Sequence, residues 1–393
     1  MVLALPSLRD AKSRGYLSAA DETRPDRRDV LIDGLRSVAI LVVLIGHFHN
    51  AYDLKPIFSG VARWVFQRLL LENEHYGVVT FFTISGYLIT SKALARFGSF
   101  DHTKSRNFYV YRFARIIPCL VLFVFAVGIG YLLHVPRITI TSEDVPALLV
   151  VLSAFLFFHN LLMVVYGWFS YCMNILWSIS IEEAFYLLYP PIVLLLGRAP
   201  RVAFFCGVLI VAGPIARYSA ETLAEQYYGY LSCFDAIAVG VLTAILARGL
   251  HPSKTVAVCL RILGTVMLVG ASLIKTQDTM IFGPTIIAMG TSALLFTARD
   301  KEQERPIILR TFLSFGRCSY ELYLFHILVL AAMRDIAGPG LVTSQWRPFW
   351  LIAFLLLSIT VAALLSRYFS EPMNRRLRHQ LLKPIVCESN LRG

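Results

Sequence analysis

Residues 33–49 read D-G-L-R-S-V-A-I-L-V-V-L-I-G-H-F-H, an apolar run entered past Asp33 and Arg36 and left at His47 and His49. With its flanks it makes a span of about 31–50, close to the roughly 20 residues a helix needs to cross a hydrocarbon core about 30 Å thick. Arg36 and His47 are eleven positions apart, near three helical turns, so they share a face with His47 about 16 Å deeper. An ionisable group at such depth costs roughly 2.5–3.5 kcal/mol on insertion and is a functional candidate for that reason. The plain alternative is that Arg36 snorkels to the inner surface and His47 only hydrogen-bonds a neighbouring helix. His49 lies off that face, towards the outer surface.

The rest of the 393-residue chain repeats the pattern, with 57% hydrophobic and 16% charged residues. Such a composition belongs to an integral membrane protein rather than a soluble domain. Further spans are expected near 76–95, 115–135, 176–196, 201–217, 230–248, 256–274, 281–297, 318–335 and 348–367, ten in all. The net charge of +12 resides in short loops between apolar runs. That distribution sets orientation and argues against a nucleic-acid partner, which would need one basic face.

Loop charge also decides an eleventh apolar run, 146–165. The stretch Lys92–Arg115 belongs inside, as does the loop at Arg198 and Arg201, which leaves room for two crossings between them. The run 146–165 is therefore expected to be re-entrant or interfacial, with Trp177 starting its span on the outer side. The expected architecture is an all-α bundle of about ten transmembrane helices plus that segment, both termini cytoplasmic. It divides into a polar tail 1–30, a membrane domain 31–372 and a basic tail 373–393. The N-terminal stretch lacks a cleavage site for a signal peptide. Seven cysteines without C-x-x-C spacing read as core residues, so no metal is expected.

Three more clusters place polar groups in apolar runs. In F-Y-V-Y-R-F-A-R-I-I-P, Arg112 and Arg115 stack on one side of a helix; they either obey the positive-inside bias or clamp a phosphorylated ligand. In L-W-S-I-S-I-E-E-A-F-Y-L-L-Y-P, Glu182 and Glu183 point about 100° apart, so one is expected to face the interior. The alternative is a helix-start charge, with Ser178 or Ser180 as the cap. In S-Y-E-L-Y-L-F-H, Tyr323 and His326 are three apart and can line one cavity or serve a structural hydrogen-bond network.

Taken together, these residues resemble the acyltransferase-3 family of membrane acyltransferases, which modify bacterial surface and secreted glycans. The signatures are Arg36 with ten residues before His47, the R-x-x-R pair Arg112 and Arg115, and W-S-x-x-x-E from Trp177 through Ser178 to Glu182. F-F-T-I-S-G-Y-L (with Ser85 and Tyr87), F-Y-L-L-Y-P, S-Y-E-L-Y-L-F-H and the closing E-P at Glu371 and Pro372 support it. The resemblance implies that His47 is the catalytic base, that Arg36, Arg112 and Arg115 handle the donor, commonly acetyl-CoA, and that Glu182 is essential. It implies a bacterial inner-membrane location, a carbohydrate or glycolipid acceptor, and membrane lipid around the bundle. One departure is Cys233, where many relatives carry Arg, which leaves the role of Asp235 open. With no hydrolase-like domain following the membrane core, the acceptor falls to that core or to glycan-assembly partners.

Acyl transfer to a sugar hydroxyl needs a base for its proton, and a neutral imidazole, with an ordinary pKa near 6.5, suits that task. Direct transfer and an acyl-histidine intermediate both fit, as do acetyl and succinyl groups. Exopolysaccharide, lipopolysaccharide O-chain, lipo-oligosaccharide and periplasmic glucan are all open as acceptors. The competing class is a transporter or exporter whose polar groups line a path; missing repeats and missing paired broken helices weigh against it.

Overall fold

Helices account for all the regular structure among the residues described by the computed structural model, 30–54, 59–100, 105–140, 144–298 and 306–382. The reason is the solvent: within hydrocarbon every backbone N–H and C=O needs an internal partner, and a helix supplies them all. In chain order these are α1 (Val30–Tyr52), α2 (Gly60–Phe66), α3 (Glu74–Phe97), α4 (Ser105–Leu132), α5 (Ala147–Phe155) and α6 (His159–Tyr166). There follow α7 (Leu176–Leu196), α8 (Ala199–Ser219), α9 (Leu223–Tyr228), α10 (Tyr230–Gly249), α11 (Lys254–Ser272) and α12 (Thr276–Thr279). The chain ends on α13 (Gly283–Leu295), α14 (Ile307–Arg317), α15 (Ser319–Ile336), α16 (Arg347–Leu365) and α17 (Glu371–Leu382).

Each expected span falls on a helix. Eight helical segments are long and apolar enough to cross a membrane, carried by α1, α3, α4, α7, α8, α10, α11 and α16. The other two differ for separate reasons. α13 has only 13 residues, while the 18 residues of α15 include Glu321, Arg334 and Asp335. On α8 and α11 large apolar side chains such as Phe204, Val211, Ile262 and Val266 point outward, the inversion expected where the surroundings are lipid.

The run 146–165 is not one helix. It breaks between α5 and α6, where Phe157 takes a positive φ of 59° and its carbonyl accepts from Tyr230 Oη at 2.6 Å. Nine and eight residues rise only about 13 and 12 Å, too little for either to cross alone. Between the expected spans 281–297 and 318–335 lies a further helix, α14, which starts at Ile307 and runs along α1 with Leu313 and Gly316 buried. Its apolar residues recur at helical spacing, a signal hidden by the charges before it. Residues 1–29, 299–305 and 383–393, which include the N-terminal tail and most of the C-terminal one, lie outside the described residues. The basic cluster Arg375–Arg378 is in α17, which continues α16 through a widened turn at Ser366–Ser370.

Close approach at the bundle centre depends on glycine. α3 and α10 make the most extensive pairing in the fold, and they cross at Gly86 and Gly240. A methyl group on either would overlap the opposing backbone, Ile237 O for the first and Thr83 O for the second. Small residues at a crossing are the usual means of packing helices in lipid, which offers no hydrophobic drive between them.

Candidate active site

Two histidines meet at the centre. Arg36 and His47 are eleven positions apart on α1 and Ser319 and His326 seven apart on α15, about three turns and two turns, so both pairs return to one face. Arg36 donates to Ser319 Oγ through Nε at 3.2 Å and Nη2 at 2.8 Å. Two turns further along α15, His326 Nε2 lies 2.9 Å from His47 Nδ1. The two rings are within 18° of parallel with centroids 5.0 Å apart.

The tautomers follow from the partners. His326 Nδ1 is 2.9 Å from Leu322 O, and a carbonyl only accepts, so that nitrogen carries a hydrogen. His326 is fully buried and has no carboxylate partner among the described residues, so it is uncharged. Its Nε2 is then an acceptor and His47 Nδ1 the donor. In a neutral His47 this pattern puts the hydrogen on Nδ1 and leaves Nε2 unprotonated.

α7 supplies the next wall. Ser178 Oγ donates to Tyr323 Oη at 2.7 Å, and that hydroxyl donates to Ile175 O at 2.9 Å. The Tyr323 ring lies 6.1 Å from His326, so the two residues three apart on α15 are brought together. Neither serine caps α7: its start has no side-chain cap, and Ser180 Oγ accepts from the His159 backbone N–H at 3.2 Å. Trp177 lies parallel to His75 at 5.6 Å and meets Phe82 edge-on at 6.0 Å.

Towards the other end the site becomes cationic. Glu182 accepts from Ser85 Oγ of α3 and from Tyr186 Oη, the latter at 2.6 Å, and Arg112 stacks 3.6 Å over the Tyr186 ring. Arg112 lies within electrostatic reach of Glu182 and Glu183, and Arg36 within reach of Arg115, Glu182 and Glu321. Arg36 and Arg112 thus both reach the hydrogen-bonded Glu182 carboxylate, with Arg115 in reach of Arg36 and Glu183. The expectation that one of the two glutamates faces inward is amended, because Glu183 is buried at 7% exposure with Oε1 unpartnered. α7 packs against α3, α4, α8 and α10, so residues 100° apart on it are both internal. The Tyr87 backbone lies where Gly240 of α10 crosses.

Two features escaped the sequence. His75 is buried between Trp177 and Tyr227, and its Nε2 has no partner. Asp235 forms a pair with Arg217, both at 0% exposure. Arg217 donates to its two carboxylate oxygens at 2.8 and 3.1 Å, with Thr285 and the carbonyls of Ile281 and Ser232 completing the shell. α8 therefore supplies a guanidinium to Asp235 although Cys233 stands at the position two before it. At the end of an apolar run Arg217 reads as a snorkelling residue, and nothing in the 18-residue spacing marks the pair.

An acyltransferase domain is matched over residues 29–367, a stretch that holds every residue of this site from Arg36 to His326. Two relatives named O-acetyltransferase OatA, from Staphylococcus aureus strain NCTC 8325 / PS 47 and strain COL, are each 25% identical over 365 residues. The match covers 88% of this chain and 57% of theirs, so the chain spans little more than half the length of these relatives. No solved structure is matched. With the family's match running from α1 to the end of α16, the chain belongs to the acyltransferase-3 family of membrane acyltransferases.

Proposed function

We propose that the protein is an O-acetyltransferase of the bacterial inner membrane, moving an acetyl group from acetyl-CoA to a hydroxyl of a cell-surface or secreted carbohydrate. The observation that supports this best is the chain from Leu322 O through His326 to His47, which in the neutral imidazole leaves His47 Nε2 with a free lone pair. Arg36, Arg112 and Arg115 suit the donor's phosphates, because planar guanidiniums present paired donors to phosphate oxygens. The pantetheine arm then runs along α1 from Arg36 towards His47.

In the transfer step His47 Nε2 takes the proton of the sugar hydroxyl while its oxygen attacks the thioester carbonyl carbon. The C–O bond forms, the C–S bond breaks, and the proton passes from His47 to the leaving thiolate. A route through acyl-histidine uses the same nitrogen as nucleophile and needs the same tautomer. His326 acts as a positioning residue, holding the ring and its tautomer as the acidic member of a hydrolase triad holds its histidine.

The test is thiol release from acetyl-CoA by the purified full-length protein in lipid nanodiscs. His47→Ala is expected to lower turnover by about 10²–10⁴-fold, the usual share of a general base, with helical content and elution volume unchanged. Near-normal turnover in a well-folded variant contradicts the proposal.

A further inference from the structure

At the end of the bundle opposite Arg112 and Arg115, where α1 finishes and α3 begins, a cleft of about 280 Å³ opens beside His49. His49, Asn50, Glu74, Tyr227, Lys275 and Gln277 line it. In the orientation set by loop charge this is the outer face. We infer that the cleft is the acceptor subsite and takes a single neutral hexopyranose ring of a glycan. This rests on the acyl-transfer reading above and adds to it the site and the class of acceptor.

The connection to the reacting atoms comes first. A Cβ on Gly46, the residue before His47, would sit 2.6 Å from Glu74 Cβ. Only glycine there lets α1 and α3 close, and Glu74 is consequently within electrostatic reach of His47. Asn50, which lines the cleft, is three residues beyond His47 on α1, so the two share a face and a ligand between Asn50 and Glu74 lies on the His47 side of that helix. Asn50 Nδ2 donates to Glu74 Oε1 at 3.0 Å and orients the carboxylate.

The lining then selects the ligand. Glu74 and Lys275 offset one another, and Glu72 is engaged by Arg68 at 2.5 Å. No charge excess is left to select a phosphate or a polyamine. What is left alternates donors and acceptors: two amides, a carboxylate, an ammonium, and the buried Nδ1 of His49, which has no protein partner. A ring bearing several hydroxyls, each both donor and acceptor, matches such a set. Tyr227 offers an aromatic wall, backed by His75 edge-on at 4.9 Å, and His75 Nε2 is a second buried atom without a partner. The volume lies just below the ~300 Å³ at which sites for drug-sized ligands begin, so one ring fits and a longer chain projects outward.

Two readouts on the full-length protein test this. First, Gln277→Cys is labelled with a maleimide, with reaction at position 277 followed by mass spectrometry, in the presence of methyl glycosides of glucose, galactose and N-acetylglucosamine. At least one glycoside is expected to slow labelling at saturation. Second, Tyr227→Ala and Asn50→Leu are expected to lower acetyl transfer to that glycoside about tenfold relative to hydrolysis of the same thioester, the loss of one or two site hydrogen bonds or their packing equivalent. Labelling equal with and without every glycoside, or an unchanged transfer-to-hydrolysis ratio in both variants, overturns the inference. The labelling readout needs no turnover. A failure of the acyl-transfer reading, seen as absent thiol release by the parent protein, is thereby told apart from a failure of the cleft.

Discussion

The bond from His326 Nδ1 to Leu322 O decides which nitrogen of His47 can act, so the two histidines respond differently to substitution. His326→Leu removes the acceptor for His47 Nδ1 and leaves both tautomer and ring angle unset. The expected result is a fall in kcat of about 10–100-fold, typical for loss of an orienting partner, with the donor KM little changed. His326→Gln offers an amide oxygen in place of the ring nitrogen and is expected to recover part of the rate. Steady-state thiol release separates the two parameters, and a change confined to KM would remove His326 from its positioning role. Arg112 stacks on Tyr186, so Arg112→Lys loses both the planar fork and the ring contact. Its Kd for CoA, measured by equilibrium dialysis, is expected to rise roughly tenfold; an unchanged Kd would leave the arginine only an orienting charge.

Among elements, α1 and α15 were legible because intramembrane ionisable groups are costly, Arg36 and His47 lie three turns apart on α1, and Tyr323 and His326 lie three residues apart on α15. The partner of Asp235 was not legible, since Arg217 comes from another helix without any local pattern. That pair joins α8 and α10, and through Thr285 also α13. Removing one member leaves a buried charge uncompensated, at a cost of about 3–5 kcal/mol. Asp235→Ala is therefore expected to lower the thermal midpoint in detergent sharply, and Arg217→Met combined with Asp235→Leu to recover much of it. A double variant as unstable as the single one would contradict this. The charges on flanking loops indicate only that the run 146–165 does not cross; the break at Phe157 was not legible, because no Gly or Pro marks it and the bond from Tyr230 that satisfies its carbonyl is a tertiary contact.

For the whole molecule, the polar residues form a column from three guanidiniums at one end, past Glu182 and the His47–His326 pair, to the cleft at Glu74. Sequence motifs on α1, α3, α4, α7 and α15 contain most of these residues. His75, Tyr227 and the cleft were missed, because α9 and α12 are short polar connectors whose place is set only when the bundle closes. The column has a direction only if α5 and α6 do not cross the membrane. Single cysteines at His134 and Trp168, on either side of that segment, are both expected to react with an impermeant maleimide from outside intact cells; reaction of one only from the cytoplasm would reverse α7 and part Glu182 from the donor side. The most direct measurement follows the acetyl group itself. Purified protein is given acetyl-CoA labelled in the acetyl group together with a methyl hexopyranoside, and the sugar is recovered. Label in the sugar as an alkali-labile ester, lost in His47→Ala, is the expected result. Label absent from the sugar while thiol is still released, or undiminished in His47→Ala, would contradict it.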